Sequence, residues 1–260
     1  MNVALLLYGQ MRTFDHPKIL EKLNNFIEKY NCDVFISTWN NRGISIYSPI
    51  EGEIRSNISN SVLVEEDFKK IKNIKGLEID SYETFLNNIT DDEIKNLLNQ
   101  NDSHKYLTKI TSYPQFYKRY KVNELKNKYK NTTNINYDAV IISRPDFLYV
   151  HNDIQEHLNN LNNTLYHINT GISYHPNRVY DVFTFSKESI MDIMCSIWLE
   201  YKELAQLNTN CTLPFYDACR LLYSQCTKHN IEIKSTSKVL GDVLRPENYS
   251  DYQSFENIFL

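Results

Sequence analysis

Apolar residues in this chain fall into short continuous runs separated by helically spaced stripes. "VALLLYG" (Val3 to Gly9), "CDVFISTW" (Cys32 to Trp39) and "DAVIIS" (Asp138 to Ser143) are runs of strand length. Such runs mark strands buried on both faces of a sheet. Between the first two, Ile19, Leu20, Leu23, Phe26, Ile27 and Tyr30 recur at the helical period. Pro17 stands in the first turn of that helix, and Asp15 is its candidate cap. A strand, a loop, a helix and a strand in sequence is the pattern of a parallel pair joined by a crossover.

The same reading continues along the chain. Residues 40–60 are polar, with two glycines and Pro49, and are expected to form a long loop. A third strand is expected over Lys75 to Asp80, a helix over Asp91 to Asn99 capped by Asp91 or Thr90, and a longer helix from Ser112 to about Tyr129. Asp153 to Leu161 reads as helical. Leu165 to Ile168 and Asp181 to Phe185 read as strands. Ser186 is placed to cap a helix whose apolar face is Ile190, Ile193, Met194, Ile197, Trp198 and Tyr201. Leu213 to Lys228 gives a last amphipathic helix, and Ile231 to Ile233 and Val239 to Leu244 give short closing strands. With no repeat and no composition break, a single α/β domain is the simplest account.

Composition adds exclusions. The chain has 260 residues, 42% hydrophobic and 23% charged, enough for a large core. A net charge of -4 argues against a general nucleic-acid binder. No run reaches the length of a transmembrane segment, and "VALLLYG" reads as a strand rather than a signal peptide. Five scattered cysteines without a CxxC pair fit a reducing, cytoplasmic setting. Cys219 and Cys226 share a helical face with Phe215 and Leu222, which suits core packing.

In open parallel sheets, ligands bind beyond the carboxyl ends of the strands. Three ends here carry polar groups: Gly9-Gln10-Met11-Arg12, Ser37-Thr38-Trp39-Asn40 and Ser143-Arg144-Pro145-Asp146. Gly9 permits positive φ or close backbone approach. Arg12, near a helix start, suits a phosphate, or else pairs with Asp15. Asp146, presented by Pro145, suits a divalent metal that bridges phosphates, or closes a turn as a local pair with Arg144. Asp181 opens an apolar strand and is either a general base, an acceptor ligand or a plain strand-start residue. No Walker A loop and no G-x-G-x-x-G is present. His151, His167 and His175 are not spaced as a metal set. The 19 tyrosines suit sugar stacking as well as half-buried packing.

Taken in order, "LLLYGQMRTF", "DVFISTW", "YDAVIISRPDFLY" and "DVFTFSKESIM" resemble a group of small bacterial and large-virus glycosyltransferases of capsule, lipopolysaccharide and viral glycan assembly. The resemblance runs from Val3 to about Arg245. It implies a GT-A-like, Rossmann-type fold with a mostly parallel sheet flanked by helices. Residues 1–150 would form a nucleotide-sugar-binding half and 151–260 an acceptor-binding half of one domain. It also implies a nucleotide-diphosphate sugar donor, a glycan acceptor, and a cytoplasmic location, in the host if the protein is viral. Gly9, Gln10, Arg12, Thr38, Trp39 and Arg144 would then line the nucleotide, and Asp181 would act as base or acceptor ligand, the base role belonging to an inverting enzyme. Asp146 would stand for the last acid of a D-x-D motif and hold Mn²⁺ or Mg²⁺. Position 144 is Arg where that motif has Asp, so either Asp146 alone would anchor the metal, or Arg144 and Arg12 would replace part of the metal's charge. Two other readings remain beside this one: another nucleotide-dependent group transferase, and a non-catalytic nucleotide- or glycan-binding module.

Overall fold

In the computed structural model, which describes residues 1–42, 62–99, 112–168, 178–207, 217–236 and 239–243, the three apolar runs are neighbouring strands at the centre of one sheet. They are Val3–Gly9 (β1), Cys32–Trp39 (β2) and Ala139–Ser143 (β4). Ile74–Asp80 (β3) extends the sheet on one side. Phe183–Ser186 (β7), Thr164–Ile168 (β6) and Glu232–Thr236 (β8) extend it on the other. The order across the seven strands is β3-β2-β1-β4-β7-β6-β8. Four of the six pairings are parallel, and the two made by β7 are antiparallel. A separate two-stranded antiparallel pair joins Phe147–Asn152 (β5) to Val239–Val243 (β9). Strands from both halves of the chain thus share one Rossmann-like α/β sheet.

Alternation along β1 explains how it sits. Val3, Leu5 and Leu7 face one layer, and Ala4, Leu6 and Tyr8 face the other. Helix Pro17–Tyr30 (α1) covers the first face with Leu23, Phe26, Ile27 and Tyr30. Phe26 stacks on Tyr149 with ring centres 4.7 Å apart, which ties β5 to the same layer. Each fully buried ring of this kind contributes about 1.5–3 kcal/mol. The second face is covered by Ser112–Thr133 (α4), with Glu188–Cys195 (α6) and Ala218–Lys228 (α8) beside it.

Helix α4 reads as polar in sequence because it buries cations. Lys118, Arg119 and Lys126 are each 0% exposed. Lys126 is neutralised from α6 by Glu188 (2.9 Å) and Asp192 (2.8 Å). Lys118 reaches Asp80 at the end of β3 (2.6 Å) and lies 4.4 Å from the centre of the Trp39 ring. Burial lowers the Lys118 pKa, and the hydrogen bond and charge of Asp80 oppose that shift.

Several expected boundaries moved, each for a local reason. Asp15 does not cap α1: it pairs with Arg42, and the His16 ring accepts from the Lys18 amide instead. Ser186 is not a cap either. It ends β7, and its hydroxyl donates to the Thr164 carbonyl (2.6 Å). Asp91 does cap Asp92–Asn99 (α3), accepting from the amides of Glu93 and Ile94. The stretch around Asp153 to Leu161 holds only one helical turn, Gln155–Leu158 (α5), before Asn159 and Asn160, residues that favour turns. The apolar stripe from Ile190 to Tyr201 breaks after α6 into a 3-10 segment, Ser196–Glu200, and then Tyr201–Gln206 (α7). There the Ser196 hydroxyl bonds back to the Ile193 carbonyl, a contact that bends helices. Tyr82–Asn87 (α2), capped by Ser81, and a 3-10 turn at Glu65–Phe68 were not foreseen. Most of the expected loop at 40–60 and the start of the helix from Leu213, with Phe215, lie outside the described residues.

Removing the Lys126 ammonium leaves Glu188, 12% exposed, short of one of its two cationic partners. Lys126→Ala is expected to lower unfolding stability by about 3 kcal/mol, and Lys126→Met by less because the stem still packs. Urea denaturation of the three proteins measures both.

Candidate functional site

The loop after β1 is built to hold one side chain out of the core. Gly9 ends the strand at φ 92°, and its carbonyl accepts from the Thr38 hydroxyl at the end of β2 (2.8 Å). Met11 and Phe14 are fully buried, and Phe14 stacks on Phe68 at 5.2 Å. Arg12 lies between them at φ 41°, a left-handed conformation that costs a non-glycine residue about 1 kcal/mol. The turn is held by the Phe14 amide donating to the Met11 carbonyl and the Arg12 amide donating to the Arg42 carbonyl (2.9 Å). Arg42 completes the brace: it donates to Asp15 (2.7 Å) and lies over the Phe14 ring. Its role was not anticipated, because nothing in a polar stretch announces a partner thirty residues away.

Strand β4 ends in a tight turn. The Phe147 amide donates to the Arg144 carbonyl (3.2 Å), so Arg144 to Phe147 form a turn with Pro145 at its second position. The fixed φ of proline suits that position, and the chain leaves the main sheet as β5. The turn sinks Asp146 to 0% exposure. Arg144 grips it twice, Nε to Oδ1 and Nη2 to Oδ2, both at 3.0 Å. Arg12 adds Nη1 to Oδ2 at 3.3 Å. The two arginine side chains keep 19% and 21% of their surface, whereas Asp146 keeps none. Burial alone would lower the Arg144 pKa, but the charges of Asp146 and Asp181 and the hydrogen bonds to Asp146 outweigh it and raise it.

Asp181 arrives here because β7 is antiparallel. With Ser143 opposite Phe183, the start of β7 meets the carboxyl end of β4, and the Arg144 amide donates to the Val182 carbonyl (2.9 Å). Two residues from the core fix Asp181. The Tyr8 hydroxyl donates to its backbone carbonyl (3.0 Å), and the Gln115 amide donates to Oδ2. The Gln115 amide also donates to the Tyr8 oxygen (3.3 Å). Burial raises the Tyr8 pKa to about 12, so the phenol stays a neutral donor. On the other side the Cys219 thiol faces Oδ1 at 3.9 Å. The Asp181 side chain is half-buried.

Of the residues singled out in the sequence, Gly9, Arg12, Arg144, Asp146 and Asp181 meet at this end of the sheet, and Gln10 lies half-buried in the same loop. Both local readings of the ions are present: Arg144 and Asp146 do close a turn, while Arg12 pairs across to Asp146 and leaves Asp15 to Arg42. Thr38 and Trp39 sit differently from expectation. Thr38 is buried and links two strand ends. Trp39 is 2% exposed and packs against Tyr82, Phe85 and Tyr117, because position 39 points to the α4 face. Tyr8, Gln115 and Arg42 were missed, since each acts through a partner distant in sequence. His167 donates from Nδ1 to the Ile168 carbonyl in the core (2.9 Å), and His175 lies outside the described residues.

The donor set does not fit Mn²⁺ or Mg²⁺. Such ions need several free oxygen ligands, whereas both oxygens of Asp146 are taken by guanidinium groups. Among the described residues no group of three or more His, Cys, Asp or Glu is placed to hold a metal.

Fold and site together define an α/β protein of Rossmann-like type with a charged cluster at the carboxyl ends of its strands. No family model matches the chain, and no curated protein matches it. No helix among the described residues is long and apolar enough to cross a membrane.

Asp146→Asn strips the counter-charge from two guanidinium groups and is expected to cost about 3 kcal/mol. Asp181→Asn, at a half-buried position with neutral donors, is expected to cost under about 1 kcal/mol. Chemical denaturation of the two variants distinguishes a buried keystone from a poised side chain.

Proposed function

We propose that this protein is a glycosyltransferase that moves a sugar from a nucleotide-diphosphate donor to a hydroxyl group of a glycan or similar acceptor. One observation carries the reading: two guanidinium groups converge at the carboxyl ends of β1 and β4, next to a half-buried carboxylate held in place by neutral donors. That is where open sheets of this kind bind ligands. The arrangement also supports the resemblance of the sequence to GT-A-like enzymes, with residues 1–150 supplying the donor side and the later strands the acceptor side.

Transfer breaks the bond between the anomeric carbon and the diphosphate oxygen. The electron pair leaves with the nucleotide diphosphate, and charge grows on its oxygens. Arg12 and Arg144 face that charge with donors already oriented by Asp146, so little reorganisation is needed. The acceptor hydroxyl oxygen attacks the anomeric carbon, and its proton passes to Asp181. A base in this place goes with a single displacement that inverts the anomeric centre. Tyr8 and Gln115 hold Asp181 from the core side, and Oδ1, which has the Cys219 thiol beside it at 3.9 Å, is the oxygen that would take the acceptor proton.

Thermal-shift titration with UDP, GDP and CMP, followed by donor turnover against a panel of nucleotide sugars, tests the reading. One nucleotide is expected to stabilise the protein, and its sugar conjugate to be consumed. Asp181→Asn is expected to lower turnover at least about 100-fold while nucleotide affinity stays within about threefold. Nucleotide binding with no turnover of any conjugate would favour the non-catalytic binding module instead.

A further inference from the structure

We propose that the two guanidinium groups on Asp146 take the place of a divalent cation, so that this site binds its donor diphosphate without metal. The proposal rests on the nucleotide-sugar reading above.

Asp146 is 0% exposed and accepts two hydrogen bonds from Arg144 and one from Arg12 among the described contacts. The two arginines and the carboxylate together carry a charge of +1 before any ligand arrives. A divalent ion on Asp146 would set two further positive charges directly beside two guanidinium groups, where like charges repel. It would also have to compete with the paired contact from Arg144, which already occupies both carboxylate oxygens, and with Arg12 on Oδ2. The next carboxylate, Asp181, is committed to Gln115 through Oδ2 and faces a thiol through Oδ1. Neither acid offers the free, hydrated edge that a magnesium or manganese ion shares with phosphate.

An anion meets the opposite conditions. Arg144 spends Nε and Nη2 on Asp146, and among the described residues Nη1 has no hydrogen-bond partner. That edge keeps two N–H donors in a plane fixed by the carboxylate behind it. Arg12 is held beside it by a left-handed turn that Met11, Phe14 and Arg42 brace. Paired, planar donors on rigid supports are what phosphate oxygens accept best, and a lysine cannot reproduce them. Asp146 is then a positioning residue that aims the arginines.

The full-length protein is titrated by calorimetry with UDP, GDP and CMP, in EDTA and again in manganese, and thermal melting is followed with manganese alone. The nucleotide that binds is expected to show affinities within about threefold in the two buffers, and manganese alone to leave the melting temperature unchanged. Arg144→Lys and Arg12→Lys, which keep the charge, are expected to weaken that nucleotide at least about tenfold in EDTA while each variant still melts cooperatively. Binding seen only with manganese, or undiminished in both lysine variants, overturns the clamp and leaves the glycosyltransferase reading standing. No binding of any nucleotide in either buffer overturns both.

Discussion

A carboxylate removed from water must be matched in charge, and at Asp146 that requirement organises one end of the molecule. Isolated, it would cost several kcal/mol or take up a proton. Arg144 supplies the match locally across the Pro145 turn, and Arg12 supplies it from the end of β1. The contact between residues 12 and 146 therefore couples two loops that otherwise belong to different strands. Arg12 makes that contact from a left-handed conformation, between the buried side chains of Met11 and Phe14.

The reversal of strand direction at β7 is the second constraint. A parallel strand beside β4 would bring its carboxyl end to this edge. An antiparallel one brings its beginning, and so Asp181, next to Arg144. Helix α4 then reaches through the sheet edge with Gln115, and β1 with Tyr8, to fix that carboxylate. Three residues further along the same helix, Lys118 meets Asp80 and the Trp39 ring at the end of β3 and β2. The core helix and the polar edge are thus one construction, with α4 supplying neutral donors near β7 and cations near β3.

Much of this was readable in the residues, and the failures share a cause. Continuous apolar runs located β1, β2 and β4, because a central parallel strand is buried on both faces and shows no alternation. The helical period located α1 and the body of α4. Their polar ends pointed to Arg12 and Asp146, since a charge beside an apolar run has to be disposed of somewhere. What the residues did not disclose is pairing over long separations. Asp15 looked like the cap of α1 and Ser186 like the cap of α6, because both residue types cap well; Arg42 and the Thr164 carbonyl claimed them instead. Gln115 and Tyr8 looked like an ordinary helix residue and an ordinary strand aromatic until register set them beside Asp181. Trp39 erred the other way: at a strand end it looked available to a ligand, but strand parity turned it into the α4 layer.

The sharing of Asp146 also bears on selectivity. A lone arginine at a strand end keeps its rotamer freedom and gives part of its binding energy to being ordered. Here the carboxylate orders both guanidinium groups before a ligand arrives, so that cost is met in folding. The same arrangement sets a limit, because Arg144 commits Nε and Nη2 to Asp146 and has only Nη1 for anything else. Under the proposed function, a diphosphate, with oxygens on adjacent phosphorus atoms, would reach Arg144 and Arg12 together, whereas a single carboxylate would reach one of them. Such a cluster would discriminate by the spacing of charge rather than by its amount, which suits a chain whose net charge of -4 gives anions no general attraction.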